Sequence, residues 1–153
     1  MRLKNAAVLI AGNGGAARAA AFALEEKGAR VFLTGRNPGR VRALARACHG
    51  EALSGAEVAR RRFDVLVHAT SVGMYPNVEE SYFPDAIPAE VVFDLVYNPR
   101  ETMLLKQARA QGKVAISGLE MFLEQAAAQF EIWTERDAPR AAMEKAAREA
   151  LGR

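Results

Sequence analysis

The chain has 153 residues, half of them hydrophobic, which suits a single domain with one core. Its 21 Lys and Arg and 18 Asp and Glu give a formal net charge of +3, and the scattered basic residues argue against nucleic-acid binding. No apolar run reaches the roughly 20 residues that span a bilayer, and the N-terminus lacks a signal-peptide pattern. We therefore predict a soluble, cytoplasmic protein with no membrane partner, in which the single cysteine, Cys48, is a buried small apolar residue.

A glycine-rich turn follows the first apolar strand. Its spacing, Gly12-x-Gly14-x-x-Ala17, is that of the dinucleotide fingerprint. In this motif one glycine permits the turn, the next lets backbone approach a pyrophosphate, and a small third residue lets helix pack on strand. The helix predicted over residues 15–27 would direct its free N–H groups at the phosphates. Similar turns also join strands to helices without any ligand, so the motif alone leaves both interpretations open.

Short apolar runs alternate with helical patterns along the whole chain. We predict strands at residues 7–11, 30–34, 65–69, 91–96 and 114–117, and helices at 15–27, 38–47, 55–61, 101–111, 119–133 and 138–151. This pattern indicates an α/β fold, a Rossmann-like doubly wound parallel sheet in three α/β/α layers, as a single domain over residues 1–153. Ligands of such sheets bind at the carboxyl ends of the strands, where we expect the proline-rich segment 73–88 to form a loop.

The residues after the second strand indicate which dinucleotide would bind. NAD-binding sheets place an acidic residue there to accept a ribose hydroxyl, whereas this chain has Gly35, Arg36 and, after a turn, Arg40. Two guanidinium groups suit a 2′-phosphate, so the sequence favours NADP over NAD. The alternative is a solvated turn followed by a helix with surface arginines.

Polar side chains also follow the third and fourth strands. Thr70 and Ser71 are placed to contact a ribose or nicotinamide, although capping of the next turn is an equal alternative. His68 is interpreted as a strand histidine without catalytic function, because no carboxylate partner can be assigned to it. Tyr97 offers a hydroxyl to a ligand or a ring to packing.

The last strand leads through Gly118 into an apolar helix. The glycine permits close backbone approach, and Met121 and Gln125 lie four residues apart on a face available to a ligand. The core face of this helix is predicted to consist of Leu119, Phe122, Ala126, Phe130 and Trp133.

Together these segments resemble the C-terminal, NADP-binding domain of shikimate dehydrogenase. The resemblance rests on four ordered motifs, which are Gly12-Asn13-Gly14-Gly15-Ala16-Ala17-Arg18, Ala69-Thr70-Ser71-Val72-Gly73-Met74, Asp94-Leu95-Val96-Tyr97-Asn98-Pro99, and Gly118 through Met121 to Gln125 with Phe130 and Trp133-Thr134. It implies an oxidoreductase of the shikimate pathway of aromatic amino-acid biosynthesis, which reduces 3-dehydroshikimate to shikimate with NADPH.

The resemblance also implies a role for each matching residue. The pyrophosphate would be held by Gly12, Asn13, Gly14, Gly15 and Ala16, and the adenosine 2′-phosphate by Arg36, Asn37 and Arg40. The nicotinamide half would contact Thr70, Ser71, Leu95, Gly118 and Met121, while Tyr97 and Gln125 would reach the substrate, shikimate or 3-dehydroshikimate.

The chain departs from the family pattern at several points. Gly35 and Asn37 replace an asparagine and a threonine beside Arg36, which points to weaker NADP affinity, and His68 and Glu135 replace an asparagine and a glycine. The family's catalytic lysine and aspartate belong to a preceding domain. No catalytic residue and no metal ligand is therefore assigned, and we expect a fragment of a longer two-domain or fused enzyme that is inactive alone.

Two alternatives to this interpretation remain. One is the corresponding domain of a quinate/shikimate-type dehydrogenase of relaxed specificity, and the other is a free-standing, non-catalytic NADP-binding module. If the chain is a fragment, the helix over residues 119–133 is the candidate for an apolar surface that the missing domain covers. The sequence leaves the oligomeric state open.

Overall fold

The computed structural model describes residues 2–152, which form a six-stranded parallel sheet and six helices. The strands are β1 (Ala7–Ala11), β2 (Arg30–Thr34), β3 (Glu51–Ala52), β4 (Phe63–His68), β5 (Ala89–Asp94) and β6 (Val114–Ser117). The helices are α1 (Gly15–Glu26), α2 (Pro38–Ala47), α3 (Gly55–Ala59), α4 (Met103–Ala110), α5 (Gly118–Thr134) and α6 (Arg140–Leu151). The ends of the predicted domain, residues 1 and 153, lie outside the described residues.

The strands lie in the order β3-β2-β1-β4-β5-β6, with every neighbouring pair parallel. The predicted α/β fold with a doubly wound sheet is therefore confirmed. The order reverses between β1 and β4, whose last residues Ala11 and His68 are paired. Ligands of open parallel sheets bind outside the carboxyl ends of the strands at such a reversal.

Both faces of the sheet are covered by helices, because successive strand residues point to opposite sides. On one face Val8 and Ile10 of β1 pack with buried residues of α1 and α2, including Ala17 and Leu44. On the other face Leu9 packs with buried residues of β4, β5, α3 and α4. The near-continuous apolar strands seen in the sequence are thus the middle layer of three.

Three strands differ from the sequence prediction. β4 spans Phe63–His68 rather than residues 65–69. β5 ends at Asp94 rather than continuing to Val96, because the Asp94 carboxylate accepts the Val96 N–H at 3.0 Å and the chain leaves the ladder there. β3 was not predicted at all, since its two residues, Glu51 and Ala52, are too few to show a periodic pattern.

The predicted core face of α5 is wrong. Of its five residues only Leu119 is buried, and Trp133 is 76% exposed. The helix packs on β6 and on α6, and α6 itself buries no residue. The apolar periodicity of α5 was real, but the described residues supply too little partner surface to cover it.

Cys48 is buried at 1% exposure, as predicted, and burial raises the pKa of its thiol. No helix within residues 2–152 is long and apolar enough to cross a membrane.

Candidate functional site

Gly12 directly follows β1 and contacts residues at the ends of β2 and β4, where the sheet order reverses. Its φ of 132° lies in a region that favours glycine, and its N–H donates to the Thr34 carbonyl of β2 at 2.9 Å. A Cβ at this position would lie 2.5 Å from the carbonyl oxygen of Ala69, just after β4. Only glycine therefore fits where the chain leaves β1.

The N-terminus of α1 opens towards solvent beside this turn. Gly14 is the N-cap residue and provides no side-chain hydrogen bond to the first turn of the helix. A Cβ built on Gly14 or Gly15 meets no atom within 4 Å, whereas Ala17 is completely buried against the sheet. The first N–H groups of α1 are thus free to donate to a ligand, and the positive end of the helix dipole favours an anion there.

Six of the eight predicted phosphate-binding residues line one cavity of about 440 Å³ beside the glycine turn, whereas Gly15 and Ala16, in the first turn of α1, do not. Its wall includes Gly12, Asn13, Gly14, Arg36, Asn37, Arg40, Thr70 and Ser71. Both arginines are exposed, and within residues 2–152 neither forms an ion pair with a carboxylate. Their guanidinium groups are therefore not held by a carboxylate, although Glu80 lies in the same cavity wall.

Asn37 has a structural role in the same wall. Its side-chain oxygen accepts the Arg40 N–H at 3.0 Å and caps α2, with Pro38 in the first turn. The Asn13 amide donates to the Asn37 carbonyl at 3.5 Å, a long contact that links the glycine turn to this cap. The glycine turn and the residues after β2 therefore meet, although Asn13 and Asn37 are 24 positions apart in the sequence.

The loop between β4 and β5 contributes cavity residues that the sequence did not suggest. Asn77, Glu80 and Tyr82 line the same cavity as the arginines. Burial raises the pKa of the Tyr82 phenol, while the Thr34 side chain and the positive charge of Arg36 act in the opposite direction. The sequence predicted a loop at this edge, but loop residues carry no periodic signal that marks which of them face inwards.

A second cavity of about 350 Å³ continues along the carboxyl edge. Ala16, Thr70, Leu95 and Tyr97 lie in its wall, and it shares Ala69 and Thr70 with the first cavity. The ring of Tyr97 stacks on Phe122 of α5 with centroids 4.8 Å apart, and the residue remains 40% exposed. The ring of Tyr97 thus packs on α5 while part of the residue stays exposed, and its contact with a ligand stays a prediction.

The residues predicted from the last strand and helix lie behind or beyond these cavities. A Cβ on Gly118 would lie 2.6 Å from backbone atoms of Leu95 and Val96, so this glycine supports the cavity wall from behind. Met121 is half-buried and Gln125 is exposed, and neither lines either cavity. Their contact with a ligand stays a prediction.

The statement that His68 lacks a carboxylate partner is wrong. His68 is completely buried, and its Nδ1 lies 2.8 Å from Oδ1 of the buried Asp94. On the other side its Nε2 lies 2.5 Å from the Thr70 hydroxyl. His68 and Asp94 are 26 positions apart and meet because β4 and β5 are neighbours with His68 opposite Asp94.

None of the five lysines lies in the wall of either cavity. Lys113, for example, lies 3.6 Å from Glu90 at the opposite end of β5. Among residues 2–152 no group of three or more His, Cys, Asp or Glu is placed to hold a metal ion.

The strand order and the glycine turn at the sheet reversal define a Rossmann-like α/β domain. Within that class the chain belongs to the shikimate/quinate dehydrogenase family. The family model described as Shikimate / quinate 5-dehydrogenase matches residues 1–109. A second model, described as Shikimate 5'-dehydrogenase C-terminal domain, matches residues 118–148.

Individual relatives agree with this assignment. The shikimate dehydrogenase (NADP(+)) of Moorella thermoacetica is 44% identical over 157 residues, which cover 94% of this chain and 53% of the relative. The enzyme of the same name from Methanothrix thermoacetophila is 44% identical over 156 residues, covering 100% and 58%. This chain therefore spans a little over half the length of these relatives.

A solved structure shows the same fold. The crystal structure of shikimate 5-dehydrogenase from Thermus thermophilus in complex with NADP(H) and shikimate superposes with a TM-score of 0.86 at 38% identity. The match covers 97% of this chain and 56% of that one.

Proposed function

We propose that this chain binds NADP(H) along the carboxyl edge of its sheet. The observation that carries the proposal is the convergence of Arg36, Arg40 and the open N-terminus of α1 on one cavity. An adenosine 2′-phosphate matches two guanidinium groups, and a pyrophosphate matches free helix N–H groups. The relatives' names and the Thermus thermophilus complex support the same cofactor.

The residues present fit this cofactor. Gly12, Asn13, Gly14, Gly15 and Ala16 would hold the pyrophosphate, with Arg36, Asn37 and Arg40 on the 2′-phosphate. Because the Asn37 side-chain oxygen is engaged as a helix cap, its amide N–H₂ is the group left for the phosphate. Glu80, exposed in the same cavity wall, would disfavour a phosphate near the loop and direct it towards the arginines.

The second cavity suits the nicotinamide half. Thr70 and Leu95 lie in its wall, and Ser71 would contact the nicotinamide half from the wall of the first cavity. Gly118 would support the second cavity from behind, and Met121 would approach from α5. When bound, NADPH supplies the hydride for reduction of a ketone. The mixed wall of aromatic and polar groups would orient the ring and keep water from it.

We further propose that the chain is the cofactor-binding domain of a shikimate dehydrogenase, which reduces 3-dehydroshikimate to shikimate. Tyr97 and Gln125 would reach the substrate from this side. Reduction of a ketone requires a proton donor at the developing alkoxide, and no lysine among the described residues lines the cavities. Catalysis would then need a second domain, and the chain alone would be inactive. A cytoplasmic location remains part of this proposal.

The exposed apolar end of α5 is a further argument for a second domain. Ile132 and Trp133 are 75% and 76% exposed at the end of the helix. Exposure of neighbouring large apolar side chains to water is unfavourable and typical of a surface that another domain or partner covers. Since the relatives are nearly twice as long as this chain, we propose that their additional domain covers this surface.

Titration of the chain with NADPH, followed by nicotinamide fluorescence, tests the proposal. We expect saturable binding that is tighter than binding of NADH in a parallel titration, and no NADP⁺-dependent oxidation of shikimate. Absence of NADPH binding would overturn the proposed cofactor. Turnover of shikimate by this chain alone would show that its acid–base groups are present.

A further inference from the structure

A buried chain of hydrogen bonds connects Asp94 to the cofactor cleft through His68 and Thr70. Asp94 and His68 are completely buried, and Thr70 lies in the walls of both cavities. The bonds run from β5 to β4 and end at the point where the two cavities meet.

An ionised carboxylate only accepts hydrogen bonds, and this fixes the donor in each contact of Asp94. Thr102 accepts the Leu105 N–H at 3.2 Å, so its hydroxyl proton is free to donate to Oδ2 of Asp94 at 2.5 Å. Oδ1 accepts the Val96 N–H at 3.0 Å. The remaining contact of Oδ1, with His68 Nδ1, therefore requires the proton to be on that nitrogen.

The direction at Thr70 follows in the same way. Its hydroxyl oxygen accepts the Val72 N–H at 3.1 Å and lies 2.5 Å from Nε2 of His68. Asp94 already receives two donors besides the ring, and an imidazole with a single proton, on Nδ1, satisfies both of its contacts. In the neutral ring with its proton on Nδ1, Nε2 is an acceptor, and it takes the hydroxyl proton of Thr70.

We propose that His68 acts as a positioning residue that makes the Thr70 hydroxyl a hydrogen-bond acceptor only at the cofactor cleft. Its proton is engaged by His68, and one lone pair remains for a ligand. Thr70 then selects a neutral O–H or N–H donor, a ribose hydroxyl or a carboxamide, and offers nothing to a phosphate oxygen. The ligand part of this inference rests on the proposed function, whereas the tautomer of His68 does not.

The tautomer is measured on the ligand-free chain by long-range ¹H–¹⁵N correlation of the imidazole rings. The chain has two histidines, and His49, with 83% of its side chain exposed, provides the internal reference. At neutral pH we expect the His68 signals of a protonated Nδ1 and an unprotonated Nε2. A proton on Nε2, alone or together with Nδ1, would overturn the proposal, since Thr70 would then be free to donate.

The ligand contact is measured by titrating variants with NADPH and with adenosine 2′,5′-bisphosphate. His68→Asn and Thr70→Val should each weaken NADPH binding roughly threefold to tenfold, the effect of one hydrogen bond. The matched substitutions His49→Asn and Thr134→Val, at exposed positions outside both cavities, should not. Unfolding curves would verify that each variant is folded.

The two probes identify the donor. If the variants lose affinity for NADPH alone, the donor that contacts Thr70 lies on the nicotinamide half. If they lose affinity equally for both probes, the donor lies on the adenosine ribose. A loss with Thr70→Val but none with His68→Asn would overturn the positioning role of His68. If the unmodified chain binds no NADPH, the proposed function fails, and the ring spectra still decide the tautomer.

Discussion

At the scale of single residues, the proposed NADP preference depends on charges that lack partners. Arg36 and Arg40 lie at a cavity without forming an ion pair in the described part of the chain, although the chain has 18 acidic residues. Elsewhere arginines do pair, as Arg140 does with Glu124 at 2.7 Å. An unpaired arginine beside a helix N-terminus is available for a phosphate.

Arg36→Ala should therefore weaken NADPH binding roughly tenfold to hundredfold, the range for hydrogen bonds to a charged group. NADH lacks the 2′-phosphate, so its binding should change far less. Fluorescence titration measures both, and Arg46→Ala, an exposed arginine of the helix α2 outside the cavity wall, is the control. Equal losses for the two cofactors would show that Arg36 stacks or packs instead.

The two glycines of the turn should respond differently to alanine. Gly12→Ala should lower the free energy of unfolding by roughly 2 kcal/mol or more, because of its positive φ and the contact with Ala69. Gly14→Ala should change stability by less than about 1 kcal/mol yet weaken NADPH binding, because its methyl group would occupy the space of a phosphate. Denaturant unfolding and NADPH titration separate the two effects, and a stable Gly12→Ala protein would contradict this account.

At the scale of elements, side-chain caps determine where most of these helices begin. Asn37, Ser54, Thr102 and Ser117 each accept a backbone N–H at the start of a helix, and α1, at the proposed phosphate site, has no such cap. Thr102 is different from the others because it is buried and also donates to Asp94. Its hydroxyl connects the start of α4 to the hydrogen bonds below the cleft.

Thr102→Ala should cost about 2 to 4 kcal/mol of unfolding free energy, since it removes a helix cap and a donor to a buried carboxylate. Asn37→Ala, at an exposed cap, should cost about 1 kcal/mol. Urea unfolding followed by circular dichroism provides the comparison. Similar losses for both variants would mean that the bond to Asp94 adds nothing to stability.

At the scale of the whole molecule, the parallel sheet brings distant segments to one edge. The glycine turn, the arginines after β2 and the loop after β4 meet only because β1 lies between β2 and β4. Cofactor binding at this edge would stabilise the complete domain, because a ligand that binds only the folded state shifts the unfolding equilibrium.

Cys48 allows this stabilisation to be measured. It is the chain's single cysteine and is buried at the C-terminal end of α2, where burial raises the pKa of its thiol. A thiol reagent should therefore react only after the domain opens. Saturation with NADPH at about one hundred times its dissociation constant should slow labelling about a hundredfold, if the whole domain must open. Labelling as fast as in denaturant would show that Cys48 is accessible in the native state.

The sequence by itself determined the α/β class, the glycine turn and the arginines after β2. These are local signals, because a turn, a helix period or a run of apolar strand residues needs only its neighbours in the chain. The bounds of β1, β2, α2 and β6 agree with the prediction for that reason.

Only the tertiary structure decided which distant residues meet. His68 gains Asp94 because their strands are adjacent, Tyr82 faces the cavity because of how an aperiodic loop folds, and Trp133 stays exposed because no described element covers it. Such contacts depend on strand order and on which helix lies against which face. The spacing of residues in a single sequence gives no information about strand order or about the face on which each helix packs.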